Sequence, residues 1–443
     1  MRTHVPCSET ARSRRIAAIT VLAALAGALL APANVEAADQ GSRPAKSVIQ
    51  IWMWGGPSHL DTFDPKPNAG SAYTGPLNAT QATNVPGIEI GQLFPRLAQQ
   101  ADKYAIVRSM THGINSHETA AYLMQTGNAP GSGTVFPSLG AIVSYFKGYR
   151  AGYSGEIPPY VVLTEAQGRF AEEGFLGPAF KPFVTGGDPA RNPFAVEGLV
   201  AEGLSDEQQR QRRAFMDSLD VLPRSLAGNP LMGAAERVEA KAYDMILGEA
   251  RKVFDVHQEP ADVRERYGLN SFGQACLVAR RLVERGVPYV TINYKGWDTH
   301  KDHFGIMARR APEMDQGMAT LLADLAERGL LDSTIVYWGG EFGRTPRVEW
   351  EAPWNGGRGH YGACFSVLLA GGGFKGGMVV GASDATGERV ASRPVYPRDL
   401  IASILMRLGI DAAGSIPGPS GAPVRLVPET ENRPGSGILT EIM

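Results

Sequence analysis

Histidine and acidic residues recur together in four short polar segments of the 443-residue sequence. Of the eight His, all except His4 and His257 lie in these segments, which read GGPSHLDTFD (His59), THGINSHETAAYLMQTG (His112, His117), GWDTHKDHF (His300, His303) and GGEFGRTP…GGRGHYG (His360). Imidazole nitrogens and carboxylate oxygens together suit Zn²⁺ or Mn²⁺, and carboxylates also bind Ca²⁺ and Mg²⁺. Taken together, the segments indicate a divalent-metal site rather than a set of unrelated structural residues.

The segment GWDTHKDHF shows how the spacing allows metal binding. Asp298 and His300 alternate along an extended chain and can present an oxygen and a nitrogen to one cation, and His303 follows about one helical turn later. Considered alone, this segment is equally typical of a solvated polar loop.

Two further segments place an arginine beside a candidate ligand. Glu341 follows an apolar run and precedes Arg344 by three residues, an arrangement that suits an anionic oxygen substrate but also a simple loop salt bridge. Arg358 and His360 lie in the Gly-rich stretch WNGGRGHYG, whose glycines would let the backbone approach a ligand closely.

The elements that must position these residues are predicted from continuous apolar runs. Six runs of this kind are typical of buried strands, at residues 47–54, 103–110, 158–164, 287–294, 333–340 and 365–373. Helical periodicity at 272–285 and 312–328 alternates with the later strands. We therefore expect an α/β fold with a mostly parallel central sheet and helices on both faces, whose strand ends bring the polar segments to one edge.

Three other regions carry predictions of their own. Residues at about 200–258 are charged and helical in pattern and are interpreted as an insertion, whereas the Pro- and Gly-rich residues 416–443 are expected to lack regular structure. GGGFKG at 371–376 is interpreted as a hairpin turn, because a strand-like run follows it where a dinucleotide-binding motif requires a helix. Cys276 and Cys364 are expected to be buried thiols, although one disulfide between them stays open.

The composition and the N-terminal residues limit which partners and which location the protein can have. The formal net charge of −2 gives no broad basic face, so nucleic acid is not expected as a partner. Residues 1–37 resemble a twin-arginine export signal, with Arg14 and Arg15 before an apolar run that is too short to span a bilayer. The mature protein is predicted to be periplasmic or secreted, without a stable membrane span, and its oligomeric state is not indicated.

Several motifs, in this order, resemble the bacterial family known as domain of unknown function 1501. They are GGPSHLDTFDPKP, NSHETAAYLMQTG, GWDTH, GEFGRTP and AGGGFKGGMVVGASD, and the resemblance extends from about residue 47 to 410. That family is similar to the alkaline phosphatase and sulfatase superfamily, whose members hydrolyse phosphate or sulfate esters at a divalent-metal site. The resemblance implies an alkaline-phosphatase-like α/β sandwich.

The resemblance also implies roles for individual residues. His117, with Ser116 beside it, occupies the place of the superfamily's nucleophile, and Asp298 with His300 or His303 resembles the ligands of one metal. Glu341 and His360 stand where later ligands occur. The chain departs from the superfamily where its first strand ends in Gly55 and Gly56 instead of a metal-binding Asp, so the nearest candidate ligands there are His59 and Asp61.

These observations predict an exported metal-dependent hydrolase of phosphate or sulfate esters acting on a small molecule or a glycan. One or two divalent cations (Zn, Mn, Ca or Mg) would polarise a phosphoryl or sulfuryl oxygen and activate a bound water, with Ser116 or His117 as nucleophile or general base. Arg344 or Arg358 would stabilise the charge on the transferred group. The alternative is a secreted binding protein that holds an anionic glycan or a protein partner without turnover, and a phosphomutase-type transferase is a third possibility.

Overall fold

The computed structural model describes residues 43–131, 133–165, 172–192, 194, 196, 207–208, 211, 249–428 and 435–443. The predicted export signal at 1–37 and most of the predicted insertion at about 200–258 lie outside the described residues.

The helices and strands of the described residues are as follows. The strands are β1 (Ser47–Met53), β2 (Thr80–Ala82), β3 (Glu89–Gly91), β4 (Tyr104–Met110), β5 (Tyr160–Leu163), β6 (Phe183–Val184), β7 (Tyr289–Tyr294), β8 (Thr334–Gly339), β9 (Gly343–Arg344), β10 (His360–Tyr361), β11 (Phe365–Ala370), β12 (Met378–Val380), β13 (Ala382–Ser383), β14 (Val390–Ser392), β15 (Ser415–Pro417) and β16 (Pro423–Arg425). The α-helices are α1 (Ser71–Thr74), α2 (Pro95–Ala98), α3 (His117–Thr126), α4 (Leu139–Lys147), α5 (Ala261–Tyr267), α6 (Ser271–Glu284), α7 (His303–Glu327) and α8 (Pro397–Arg407).

Eight of these strands form one central sheet in the order β12-β4-β11-β8-β1-β7-β5-β6. Strand β1 lies between β7 and β8 and is parallel to both, with Ile51 opposite Ile292 on one side and Trp338 on the other. Only β11 runs antiparallel to its neighbours in this sheet. The prediction of a mostly parallel sheet is therefore confirmed, and each of the six apolar runs contains one of its strands.

Helices cover both faces of the sheet, and β1 shows why. Its side chains alternate, so that Ile49, Ile51 and Met53 pack with α6 and α7 on one face while Val48 and Trp52 pack with α3, α4 and α8 on the other. A strand that is covered on both faces reads as a continuous apolar run, which is what residues 47–54 show. The α/β class with two helical layers is thus established.

Two local predictions need correction. Helix α7 begins at His303, nine residues before the predicted start at Pro312, which lies inside the helix. The segment 371–376 does join two strands, as predicted, but it is not a hairpin: β11 pairs antiparallel with β4, and β12 pairs parallel with the other side of β4. The hairpin interpretation was wrong because the pairing partner of β12 is distant in sequence.

The described C-terminal residues, 416–428 and 435–443, contain more regular structure than predicted. Strands β15 and β16 form a short hairpin, and Leu439 and Ile442 are buried against the α8 side of the core. Burial of these side chains, which the Pro- and Gly-rich composition did not indicate, holds the chain end on the domain. Cys276 and Cys364 are both buried and free. Among the described residues, no helix is long and apolar enough to cross a membrane.

Candidate metal centre

The candidate site lies at the carboxyl edge of the central sheet. Strands β1, β7 and β8 end close together, and the residues that follow them include Gly55, Asp298 and Glu341. Helix α3 begins at His117 after β4, and the two-stranded β9-β10 sheet carries His360. Segments from five parts of the chain therefore meet where parallel strands place their carboxyl ends.

Glu341 is buried and links the end of β1 to helix α3 at this site. Its side chain is 0% exposed, and its Oε1 accepts hydrogen bonds from the backbone N of Gly55 at 2.8 Å and from Nδ1 of His117 at 2.7 Å. Its Oε2 is buried without a hydrogen-bond partner among the described residues. An unpaired buried carboxylate oxygen is costly, so this atom is a natural ligand for a cation.

Asp298 connects the remaining polar groups. Its Oδ2 lies 3.4 Å from Nε2 of His117, and its Oδ1 lies 3.1 Å from Nε2 of His300 and 3.1 Å from Nε2 of His360. The same oxygen accepts a hydrogen bond of 2.5 Å from Nη2 of Arg344. Partial burial opposes ionisation, but the hydrogen bonds from His117 and Arg344 prevail and hold the pKa of Asp298 well below its usual range.

The imidazoles are oriented by their other ring nitrogens. Nδ1 of His360 donates to the carbonyl oxygen of Asn115 at 2.8 Å, because a carbonyl can only accept, and this leaves Nε2 of His360 facing Asp298 and His300. Hydrogen bonds to Asp298 and Glu341 raise the pKa of His117 to about 9. His360, whose Nδ1 is fixed in this way, is prepared to bind a metal through Nε2. A cation at Nε2 of His117 would replace the proton that this ring carries at neutral pH.

The donor set fits a divalent cation. One ligand atom from each of His117, Asp298 and His360 lies within 4.8 Å of the other two. Nε2 of His300 lies 2.8 Å from Nε2 of His360 and adds a further imidazole donor. A mixture of imidazole and carboxylate donors suits Zn²⁺ or Mn²⁺. The side chain of Asp298 is 44% exposed, so the cluster is open to solvent and to a ligand.

Arg344 is buried and supports the cluster from behind. Its side chain is 0% exposed and donates to the carbonyl oxygens of Gly55, Gly56 and Arg358 in addition to Asp298. These contacts join the end of β1 to Asp298. The guanidinium therefore fixes the carboxylate and is not presented to solvent.

Three other predicted site residues form a separate buried ion cluster. Nε of Arg358 lies 2.8 Å from Oδ2 of Asp61, and Nε2 of His303 donates to the same oxygen at 2.9 Å. Both remaining nitrogens of Arg358 donate to backbone carbonyls, including that of Tyr73 at 2.6 Å. Nδ1 of His303 lies 2.7 Å from the hydroxyl of Thr299, which ties this cluster to the residue after Asp298.

His59 lies next to this ion cluster and is also buried. Its Nε2 donates to the carbonyl oxygen of Gly387 at 2.8 Å, and its Nδ1 has no hydrogen-bond partner among the described residues. Burial lowers its pKa below the ordinary value. Of the residues predicted as ligands, the structure thus brings together Asp298, His300, Glu341 and His360, and places Asp61, His59 and His303 elsewhere.

His112 supports the site, and sequence reasoning gave it no role. Its Nε2 donates to the backbone oxygen of Glu341 at 2.7 Å, while its Nδ1 accepts from the backbone N of Ile114 at 3.0 Å. Burial lowers the pKa of His112 to about 4, so the ring stays neutral at physiological pH. In the sequence, only the position of His112 in the segment THGINSHET, close to His117, indicated a role at the site. Its hydrogen-bond partner, the backbone of Glu341, is evident only from the fold.

Gly55 allows the close packing of β1 against the Asp298 segment, which gives a first prediction. Its φ is +109°, and an added Cβ would overlap the backbone N of Asp298. We expect Gly55→Ala to destabilise the protein by about 1–3 kcal/mol through strain and overpacking, and to lower the affinity for added Zn²⁺ or Mn²⁺. Urea unfolding and metal titration by calorimetry measure the two effects.

Gly70→Ala is the matched control for this substitution. Gly70 also has a positive φ, of +88°, but apart from its two chain neighbours no atom of the described residues lies within 4 Å of the position of its missing Cβ. The control should show the backbone strain without loss of metal affinity. Equal metal affinities for the two variants would contradict the role given to Gly55.

The topology and the cluster together define an α/β protein with a candidate metal centre at the carboxyl edge of its sheet. The chain belongs to the family described as "Protein of unknown function (DUF1501)", whose model matches residues 45–434. A search of the curated proteins gives no significant match.

Solved structures with a similar chain path include three from different bacteria. The lipoteichoic acid synthase LtaP from Listeria monocytogenes is 9% identical, with 88% of this chain and 76% of that chain covered and a TM-score of 0.41. The alkaline phosphatase from the Antarctic bacterium TAB5 is 12% identical, with coverage of 83% and 99% and a TM-score of 0.38. The PsFucS1 sulfatase from Pseudoalteromonas sp. is 16% identical, with coverage of 89% and 71% and a TM-score of 0.36.

Proposed function

We propose that the protein is an exported metal-dependent hydrolase of phosphate or sulfate esters, acting in the periplasm or outside the cell. The observation that carries this proposal is the solvent-open cluster of His117, Asp298 and His360. His300 lies beside His360, and Glu341 accepts a hydrogen bond from Nδ1 of His117. The ester class is supported by the motif resemblance, in particular HETAAYLMQTG and GWDTH.

His117, Asp298 and His360 would hold the cation, with His300 and Glu341 as additional donors. A divalent cation at such a site supplies Lewis-acid polarisation of an ester oxygen. Arg344 keeps Asp298 in position through its contacts with the end of β1, and His112 keeps the backbone of Glu341 in position. Neither of these two groups contacts the substrate in this proposal.

Ser116 is the nucleophile in this proposal. It precedes helix α3 directly, its side chain makes no capping hydrogen bond, and the residue is exposed. His117, in contrast, is fixed between two carboxylates. The hydroxyl of Ser116, the residue that directly precedes His117, is therefore assigned as the attacking oxygen, and the imidazole of His117 as a donor to the cation.

Ser116→Ala tests this assignment. We expect turnover to fall by at least about 100-fold, because the attacking group is lost, while the bound metal and the melting temperature stay unchanged. Ser71→Ala is the control, because it removes a hydroxyl from a short helix, α1, where no side chain caps the first turn. Ser138 is avoided because its side chain caps helix α4. If Ser116→Ala turns over substrate as fast as the unchanged chain, Ser116 is not the nucleophile.

A substrate screen tests the proposed function itself. Aryl phosphates, phosphodiesters and aryl sulfates are incubated with the mature chain and Zn²⁺, Mn²⁺, Ca²⁺ or Mg²⁺, and Asp298→Ala serves as the background. We expect metal-dependent release of product from at least one ester class by the unchanged chain only. Equal rates for the chain and the Asp298→Ala variant under every condition would contradict a hydrolase.

One observation favours the second candidate function, a secreted binding protein without turnover. Both arginines predicted to stabilise the transferred group, Arg344 and Arg358, are fully buried and donate to backbone carbonyls and to Asp298 or Asp61. A binding protein needs no such group. In that case the screen gives no turnover, but the metal-loaded chain still binds anionic ligands in a manner that depends on Asp298.

A further inference from the structure

Tryptophan side chains flank the histidine cluster. The ring of Trp54 stacks with that of His117, at 5.9 Å between centroids and 20° between planes, and the ring of Trp354 lies 5.9 Å from that of His300. His360 lies between the two histidines, at 4.2 Å from His117 and 4.5 Å from His300. The ring contacts therefore run from one tryptophan through three imidazoles to the other.

Trp354 is exposed although it is large and apolar. It retains 37% of its surface in solvent and lies on the loop of residues 346–357, which we call the tryptophan loop. The same loop carries Trp350, at 52% exposure. Indole rings are amphipathic and frequent in binding sites. Because the ring of Trp354 contacts His300, it lies where it can meet a ligand held at the cluster.

The tryptophan loop is held in place before any ligand binds. The backbone N of Trp354 donates to the carbonyl of Glu351 at 2.9 Å, and Glu349 exchanges backbone hydrogen bonds with Gly357. Trp350 stacks on Phe304 of α7, at 5.6 Å and 18°. A ring presented on a fixed loop loses little entropy on binding, which favours affinity.

The charges of the loop restrict what the ligand can be. Arg347 is accompanied by two exposed carboxylates, Glu349 and Glu351, so the loop does not attract a second anionic group. A cationic group in the same place would be repelled by the divalent cation of the proposed function. The part of the ligand that covers Trp354 is therefore neutral, has a flat apolar face for the indole, and can use hydroxyl groups to donate to the carboxylates. A pyranose ring has these properties, since its C–H bonds form an apolar face and its hydroxyls surround the rim.

We propose that Trp354 binds a sugar ring of the substrate, which makes the substrate a glycan ester whose acidic group lies at the metal cluster. This inference rests on the proposed function for the position of the acidic group. Trp350, which stacks on Phe304 instead of on a cluster residue, has no part in it.

The test compares esters that share the acidic group and differ in the body. The probes are methyl glucoside 6-phosphate and 6-sulfate, ethyl phosphate and ethyl sulfate, and phenyl phosphate and phenyl sulfate. Dissociation constants are measured by calorimetry with the full mature chain loaded with Zn²⁺ or Mn²⁺, in the Ser116→Ala background to prevent turnover. We expect the sugar ester to bind about tenfold more tightly than the ethyl ester, because one stacked ring contributes on this scale.

The tryptophan variants assign the effect. Trp354→Ala should remove the preference for the sugar ester, and Trp354→Phe should retain part of it. Trp350→Phe, the matched control on the same loop, should keep the preference, because an aromatic ring remains to stack on Phe304. Equal affinities for sugar and ethyl esters in the unchanged chain would overturn the inference, as would a stronger preference for the phenyl ester or an equal loss of the preference in Trp350→Phe and Trp354→Phe.

The proposed function fails in a different way. If the ethyl esters bind and the Ser116-containing chain hydrolyses them without any advantage for the sugar ester, only the sugar inference is overturned. If no ester binds but neutral cellotriose does so in a manner that depends on Trp354, the hydrolase proposal is overturned and the sugar surface is supported.

Discussion

Replacing Asp298 by Asn lowers the affinity for a divalent cation by at least about 100-fold. Removal of a residue that only hydrogen-bonds to a metal ligand already lowers metal affinity by about 10–100-fold, and Asp298 is proposed to be a ligand itself. Asp298 is the residue that contacts His117, His300 and His360 together, and its charge also balances the buried Arg344. The variant keeps the shape of the side chain but removes the anionic donor. Arg344 then leaves a positive charge beside the imidazoles, which further repels a cation.

The measurement is a titration of the metal-free chain with Zn²⁺ and Mn²⁺ by calorimetry, followed by ester hydrolysis at saturating metal. Asp302→Asn is the matched control, because Asp302 lies four residues away in the same segment, is mostly exposed, and pairs only loosely with Arg309 at 3.6 Å. The control should bind metal and turn over substrate like the unchanged chain. Similar affinities for the two variants would remove Asp298 from the set of ligands.

The second large effect is on stability. Asp61→Asn should destabilise the protein by about 3–5 kcal/mol, because it leaves the guanidinium of Arg358 buried without its counter-charge. Burial opposes ionisation of Asp61, yet Arg358 and His303 hold its pKa well below the usual range. A carboxyl whose pKa is lower in the folded than in the unfolded state stabilises the fold fully at pH values above its unfolded-state pKa of about 4. This stabilisation is lost as the pH falls from there towards the pKa of the folded state.

Urea unfolding at neutral pH measures this difference, with Glu327→Gln as the control. Glu327 forms an ion pair with Arg266 at 3.4 Å, but both side chains are about half exposed, so its replacement should cost no more than about 0.5 kcal/mol. If Asp61→Asn unfolds at the same urea concentration as Glu327→Gln, the buried ion cluster does not stabilise the fold as described.

The strands of the central sheet were predictable because each is buried on both faces and reads as an apolar run. The start of α7 was not, because Pro312 favours the first turn of a helix and the polar residues from His303 onward resemble a loop. The hairpin prediction at 371–376 failed for another reason. Nothing in the sequence around 371–376 indicates that β12 pairs with β4, because β4 lies more than 250 residues earlier in the chain.

The candidate site was predictable to the extent that parallel strands share a carboxyl edge. That rule placed Asp298, Glu341 and His360 together. It could not separate them from Asp61 and His303, because the same residue types serve both a cation site and a buried ion pair, and only the position of Arg358 distinguishes the two. The exposure of Trp354 beside His300 likewise depends on how the loop folds.

Metal analysis of the protein purified from its export compartment tests whether the cluster at the sheet edge binds a divalent cation. We expect a stoichiometric divalent cation and a melting temperature that falls in chelator, because a cation at a hundredfold excess over its Kd stabilises the folded state by about 2.7 kcal/mol. Absence of stoichiometric metal together with an unchanged melting temperature in chelator would contradict it.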